Sequence, residues 1–386
     1  MKYLIYSVLM ALSITSAKSQ ELKKVYSIVK EIQDLSWYKE QQKLWKEEID
    51  KNNKNAVAWE NYYNAVRALK NLSWENKEEL EKYKKQCETI GKDAYAVVPN
   101  SYQANLILWR NSGNEEKYHK YLERAYELSP NNEEVLVNVL TQSKLRGEKE
   151  EYSTYCKKYY KTNDVPSGLL NWAYNLLSEL DENAIVFTGG DNDSYPCWLV
   201  QEVKGIRTDV EVINIYLLLK DDYRNNLFKK LGLPELRLTM SEVKSQEEYQ
   251  NNRDKILEHI FKNYKSSFYV VTSLVNSFKE QYENELHLTG LAYKYSKTEI
   301  DNISLIIRNY EKRYLLDYLK MSFSFSIGEK VAENAQVMYL PALTKLYKHY
   351  KNTEQTEKLK KVKELLLSIG NRTGSLEDVE AILKGC

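Results

Sequence analysis

Hydrophobic residues recur along most of this chain at three- and four-residue spacing, the pattern of helices that bury one face. Residues 21–50 read as helix, with Trp37 and Trp45 as apolar anchors. Further on, Ala104, Leu108 and Trp109 share a helical face, Gly113 closes a turn, and Tyr118, Leu122, Ala125 and Leu128 continue on a second helix. The next stretch repeats this with Val135, Val139 and Leu140, then Gly147, then Tyr152, Tyr155 and Tyr159. Gly113 and Gly147 lie 34 positions apart, the period of stacked helix pairs. A small residue there suits two helices that cross closely. Pro99, Pro130 and Pro166 punctuate the units, since proline ends one helix or starts the next.

After one more helix at 171–180 the pattern changes. Ala184-Ile185-Val186-Phe187-Thr188 is a short apolar run, expected as a buried strand, and it ends at Gly189-Gly190. Trp198, Leu199 and Val203 follow at helical spacing, Gly205 stops that helix, and Val210-Glu211-Val212-Ile213-Asn214-Ile215 reads as a second strand. Strand, helix and strand in so short a span make a βαβ unit with parallel strands and a right-handed crossover. Phe268-Tyr269-Val270-Val271-Thr272 is a candidate third strand, and 256–261 looks helical. From 301 onward helix returns: Ala342, Leu343, Leu346 and Tyr347, then Leu359, Val362, Leu365 and Leu366, form an antiparallel pair. The expected fold is mainly α with a small α/β unit. A helical array occupies 20–180, a short parallel βαβ-containing sheet lies in 181–300, and C-terminal helices fill 301–386.

Composition agrees with that picture. Only 13 glycines and 6 prolines occur in 386 residues, too few for a turn-rich β fold. Lysine and arginine (56) nearly cancel aspartate and glutamate (55), so no basic stripe argues for nucleic acid. Tyrosine is abundant, at 32 against 7 phenylalanines. Either the rings form platforms for sugars or peptides, or they fill half-buried helix positions with the hydroxyl left wet; the second reading is favoured.

The chain starts with Lys2, an apolar run at 3–14, and small residues Ala17 and Ser19. That is the pattern of a cleaved signal peptide at 1–19. The run is shorter than the roughly 20 residues that span a bilayer, and no later stretch is apolar enough. The expectation is a periplasmic or secreted protein with no transmembrane segment in the mature chain. Cys87, Cys156, Cys197 and Cys386 could pair in an oxidising compartment, but they lack metal-ligand spacing. An isolated buried thiol is the default for each.

Chemistry has one obvious place to sit. Gly189-Gly190-Asp191-Asn192-Asp193-Ser194-Tyr195-Pro196 joins the first strand to its helix, at the edge where parallel α/β sheets hold ligands. Asp193 or Ser194 can cap the helix, with Pro196 in its first turn. Alternatively Asp191 and Asp193 could bind a divalent cation, or orient sugar hydroxyls as paired acceptors. Their carboxylates would repel phosphate. No other cofactor is indicated. His119, His259, His287 and His349 are scattered, without an HExxH pattern or a serine elbow.

Two resemblances add to this. Asn55-Ala56-Val57-Ala58-Trp59-Glu60-Asn61-Tyr62-Tyr63 resembles the opening of a tetratricopeptide first helix. The residues from Asp181 to Thr188, the Gly190-Asp191-Asn192-Asp193 loop and the block from Trp198 to Val210 together resemble the soluble C-terminal region of a Bacteroidota membrane-protein family. That family, of unknown function, is similar to protein O-mannosyltransferases. His287-Leu288-Thr289-Gly290-Leu291-Ala292-Tyr293 resembles a later block of it. The likeness covers 171–350. Ser194 and Tyr195 stand where Thr and Phe are expected, keeping a hydroxyl and a ring. The family's membrane-spanning part has no counterpart here. The resemblance therefore implies an envelope location and a shared soluble module rather than glycosyl transfer.

The leading expectation is a non-enzymatic envelope protein that presents its helical array to a peptide, protein or glycan. The α/β unit would add a small polar site of Gly190, Asp191, Asn192, Asp193, Ser194, Tyr195 and Arg207. The alternative is an enzyme acting on envelope sugars through the same loop.

Overall fold

A computed structural model describes residues 21–113, 115–238, 240, 246–321 and 328–385. The expected signal peptide and Cys386 lie outside them. The described chain divides into two compact units, 21–26 with 33–99, and 27–32 with 100–385. That division falls inside the stretch 20–180 expected to form one array.

The first unit holds three consecutive packed helices, α1 (Leu35–Lys51), α2 (Ala56–Leu72) and α3 (Lys77–Val97). Asparagine caps start two of them: Asn55 accepts from the Ala58 N–H, and Asn76 from the Glu79 N–H. Helix was expected from residue 21, but it begins only at Leu35. The segment before it is held by side chains instead. Gln41 donates to the Glu21 carbonyl (3.1 Å) and accepts from the Lys23 N–H (2.9 Å). Asn61 accepts from the Val25 N–H (2.7 Å), and Asn64 donates to the Val25 carbonyl (3.0 Å). With its backbone satisfied by carboxamides and Val25 buried, this stretch has no need of a helical ladder. Trp37 and Trp45 are only half-buried; Tyr38, Gln41 and Ile49 are the buried residues of α1.

The second unit begins with α4 (Tyr102–Asn111), α5 (His119–Leu128), α6 (Glu133–Arg146), α7 (Lys149–Lys161) and α8 (Ser167–Glu179). Here α4 packs on α5 and α6 on α7. Gly113 and Gly147 sit in the intervening turns with φ of 63° and 73°. Among the described residues beyond its chain neighbours, no atom lies within 4 Å of where a Gly113 Cβ would stand, and Gly147 would make only ordinary contact. They are glycines for the left-handed backbone, not for the close helix crossing expected of them.

Next come β1 (Ile185–Thr188), α9 (Asp191–Lys204), β2 (Glu211–Asn214), α10 (Asp221–Leu231), α11 (Gln246–Asn263), β3 (Phe268–Val271) and α12 (Asn276–Tyr282). A hairpin of β4 (Leu286–Leu288) and β5 (Ala292–Tyr295) completes the sheet, in the order β2-β1-β3-β5-β4. β1 pairs in parallel with β2, Ile185 opposite Glu211, and with β3, Ile185 opposite Phe268. β5 runs antiparallel to β3 and β4. The three strands expected from sequence are present; the hairpin was not expected. The βαβ unit stands, with Gly205 capping α9 at φ 66°. Pro196, expected in the first turn of its helix, lies beyond it because α9 already starts at Asp191.

The chain ends in α13 (Asn302–Arg308), a π-helical turn at Asn309–Arg313, then α14 (Glu329–Ala335), α15 (Leu340–Asn352), α16 (Thr356–Thr373) and α17 (Leu376–Gly385). The expected antiparallel pair is α15 with α16. One apolar core runs from Leu106 and Trp109 through every strand to Ile369 and Val379. α7 and α8 pack on α9, and α6 on α10, which joins the later helix pairs to the sheet. Many tyrosines are spent in the interior, among them Tyr63, Tyr269 and Tyr350. Cys87, Cys156 and Cys197 are buried thiols; burial pushes Cys87 to about 11 and Cys156 to about 12. The protein is mainly α with a small α/β unit. No described helix is long and apolar enough to cross a membrane.

Candidate functional site

Strand order makes the carboxyl ends of β1 and β3 a topological switch point: the connection from β1 goes one way to β2, and β3 returns on the other side. Ligands commonly bind in such a crevice. In this chain it is filled. Leu274, just after β3, leaves no room for a Cβ on Gly189, which would come within 2.9 Å of its Cδ1. The Asp193 carboxylate accepts from the N–H groups of Gly189 (3.0 Å) and Gly190 (2.6 Å) and from Ser273 Oγ (3.2 Å). Burial raises its pKa against those donors, which lower it. Asp193 thus closes the N-terminus of α9 from inside.

Its neighbours are also committed. Ser194 Oγ is buried, 2.7 Å from Thr188 Oγ1 and 2.9 Å from the Asn214 amide, fastening α9 to β1 and β2. The Tyr195 hydroxyl meets Thr141 Oγ1 at 2.7 Å, and its ring lies edge-on to Trp198. Asn192 donates to the Val29 carbonyl at 3.0 Å. Asp191 is exposed while Asp193 is buried. Residues two apart on a helix point to different sides, so these carboxylates do not converge. Among the described residues no group of three or more His, Cys, Asp and Glu is placed to hold a metal ion.

Arg207 does not join this loop. It precedes β2, at the opposite edge of the sheet, with φ of 50°. All its donors are used. Nε and Nη2 grip both oxygens of Asp209 at 2.9 Å. Nη1 donates to the carbonyls of Leu177 (2.8 Å) and Leu180 (2.9 Å), and Nη2 also to that of Asp181 (2.7 Å). The guanidinium therefore caps the C-terminus of α8, where carbonyls lack partners, and it holds Asp209 down at about 2.

Two cavities lie elsewhere. One of about 670 Å³ opens at the amino ends of β1 and β2, bounded by Tyr174, Ser178, Asp181, Glu182, Arg207 and Arg313. The other, about 370 Å³, lies between α5, α6 and α7. Tyr126 and Tyr155 meet edge to face in it at 5.2 Å, and Glu123, Glu127, Glu148 and Glu151 line it against one guanidinium, Arg146. Arg146 is itself engaged by Glu116 (2.6 Å) and His119 (2.9 Å). The sequence pattern marked Tyr155 and Leu122 as helix-face residues, but not the groove they share.

A buried polar cluster also escaped the sequence reading. Glu179, at the end of α8, accepts from the N–H groups of Leu291 (2.8 Å) and Ala292 (3.0 Å), from Thr289 Oγ1 (3.2 Å) and from the Tyr314 hydroxyl. Burial raises it to about 7, although those bonds pull it down. A Cβ on Gly290 would overlap both the Tyr314 hydroxyl and the Glu179 carboxylate. The block from His287 to Tyr293 thus wraps a carboxylate rather than opening a site.

No curated protein and no solved structure matches the chain. The helices at 35–161 fall outside the region that a family model covers. That region begins within α8, takes in the whole sheet and ends in α16, and it contains the 171–350 span marked by resemblance: residues 169–357 match the family model TMEM260-associated domain 2, so this part of the chain is similar to a TMEM260-associated domain.

Proposed function

We propose that this is an exported envelope protein that binds an extended peptide or protein segment through its helical pairs. The observation that carries the reading is the groove between α5, α6 and α7. It combines the rings of Tyr126 and Tyr155 with four carboxylates, of which Glu127 pairs with Arg124 and Glu148 lies 3.9 Å from Arg146, so negative charge remains in excess. Aromatic rings beside a surplus of carboxylates suit lysine or arginine side chains, by charge and by cation–π contact, and Lys158 over the Tyr126 ring is such a contact within the fold. The first helices give a precedent, since Gln41, Asn61 and Asn64 hold the chain's own residues 21–25 by side-chain bonds to backbone. The pattern at 1–19 supports export. The alternative, an enzyme acting on envelope sugars through residues 190–195, gains less support, because Asp193 and Ser194 are consumed in holding α9 to the sheet.

Fluorescence anisotropy with a labelled decapeptide rich in lysine, compared with its glutamate counterpart, tests the reading. The lysine peptide should bind at least tenfold more tightly at low salt and weaken as salt rises, on the order expected for exposed charges. Changing Glu123, Glu127, Glu148 and Glu151 together to glutamine should remove the preference without altering the melt. Equal binding of both peptides, or of neither, would sink it.

A further inference from the structure

Arg207 and Arg313 approach the end of α8 in the same manner. Each directs Nη1 at its last carbonyls; Arg313 donates to those of Ser178 (2.8 Å) and Glu179 (3.2 Å). They differ at the other edge of the guanidinium. In Arg207 the Nε and Nη2 pair holds the Asp209 carboxylate, both bonds at 2.9 Å. In Arg313 the same pair makes no hydrogen bond among the described residues, and no carboxylate lies within ion-pair distance of it there. Arg313 is half-buried and lines the cavity of about 670 Å³.

The surrounding charges leave that edge uncompensated. Asp209 is taken by Arg207, and Asp181 by Lys294 and Ser267. Arg308 adds a second positive charge close enough to act on Arg313; burial, then Arg308 and Arg207, lower the Arg313 pKa. Against these stand Asp181, whose charge raises the Arg313 pKa although it is shared with Lys294, and Glu182, exposed at the rim and screened by solvent. Ser178 Oγ and the Tyr174 hydroxyl line the same cavity and make no hydrogen bond among the described residues. The volume is that of a small-molecule site, which runs from roughly 300 to 1,000 Å³.

We propose that this cavity binds a small anionic ligand, its carboxylate or phosphate held bidentately by Nε and Nη2 of Arg313 as Asp209 is held by Arg207. A planar fork of two parallel N–H groups matches either anion. Ser178 and Tyr174 stand ready for the hydroxyls of a sugar that carries it. The site is separate from the groove between α5 and α7, and it survives or fails independently of peptide binding.

Calorimetric titration of the purified protein with glucuronate, glucose 1-phosphate and glucose tests this. At least one of the two anions should bind about tenfold or more tightly than glucose, the gain expected of a bidentate charge-assisted pair, and the better one identifies the group. Arg313→Lys keeps the charge but lacks the fork, and should weaken that binding by about tenfold while leaving the melt nearly unchanged. Because Arg313 also caps α8, a measurement on the unaltered protein accompanies the variant. Phenylglyoxal modification of Arg313, followed by peptide mass spectrometry, should slow at least severalfold in the presence of the binding anion. Binding of neither anion above glucose, unchanged affinity in Arg313→Lys, or absence of protection would each overturn the proposal.

Discussion

At the carboxyl edge of the sheet, Asp193, Ser194, Thr188 and Asn214 turn their polar atoms toward one another and the backbone. At the amino edge, Arg313 keeps one side of its guanidinium open to a cavity of about 670 Å³. The first edge has the residue types that suggest a ligand, and the second has the unspent donors. Residue type tells what a side chain could bind. Whether its bonding capacity is already used decides if it does.

That contrast can be tested by breaking each side. The largest effect should come from Gly290→Ala, since its methyl must displace both the Tyr314 hydroxyl and the Glu179 carboxylate. Overpacking together with broken buried hydrogen bonds predicts a loss of about 3 kcal/mol in urea unfolding. A loss below about 1 kcal/mol would mean that the cluster yields easily.

Next should be Asp193→Ala, which strips acceptors from two N–H groups and Ser273. A cost of about 2 kcal/mol is expected for a buried charged cap. Anion binding at the amino edge should not change. If that variant lost the ligand while keeping its stability, the carboxyl edge would be the site after all.

Glu179 predicts a pH dependence of its own. Its folded pKa of about 7 lies above the unfolded value near 4.3, so the native state holds this proton more tightly. The stability it contributes is full below about pH 4.3 and is lost as pH rises through about 7. The depressed carboxylates Glu134, Asp181, Asp209, Asp301 and Glu311 act in the acid range, outside this window, while Asp193 and Glu329, raised by burial, act with the same sign as Glu179. Urea midpoints for the native protein should therefore fall between pH 5 and pH 8, and Glu179→Gln should flatten the slope. Parallel slopes for the two proteins would refute the assignment.

The smallest effect sharpens the comparison of the two arginines. Arg207→Lys loses the bidentate hold on Asp209 and part of the α8 cap, and about 1 kcal/mol is expected. Arg313→Lys should cost less, because only its Nη1 bonds serve the fold. The reverse ranking in thermal melts would make Arg313 the structural residue.

Much of the fold was legible because the deciding interactions are local. Gly205, which stops α9, and the apolar runs inside β1, β2 and β3 state their roles within a few residues of themselves. Residues 21–34 misled, because Gln41, Asn61 and Asn64 supply bonds from helices further along. β4 and β5 escaped because they are short and find their place only beside β3. The candidate loop was legible as a strand-to-helix bend with an acidic cap. It was not legible that Leu274 and Ser273 close over it.

By itself, the sequence determined that the fold is mainly α, where β1, β2 and β3 lie, and that β1 and β2 run in parallel, since turn chemistry and periodicity act over short distances. Only the tertiary structure decided which polar groups meet. Arg207 finds carbonyls some 30 positions away and Arg313 some 135 away, and a bond across such a separation depends on the packing of every element between. Asp209, two residues from Arg207, pairs with it, whereas Glu311, two residues from Arg313, pairs with Lys358 instead; which of two such neighbours answers its arginine is decided only once the chain has folded.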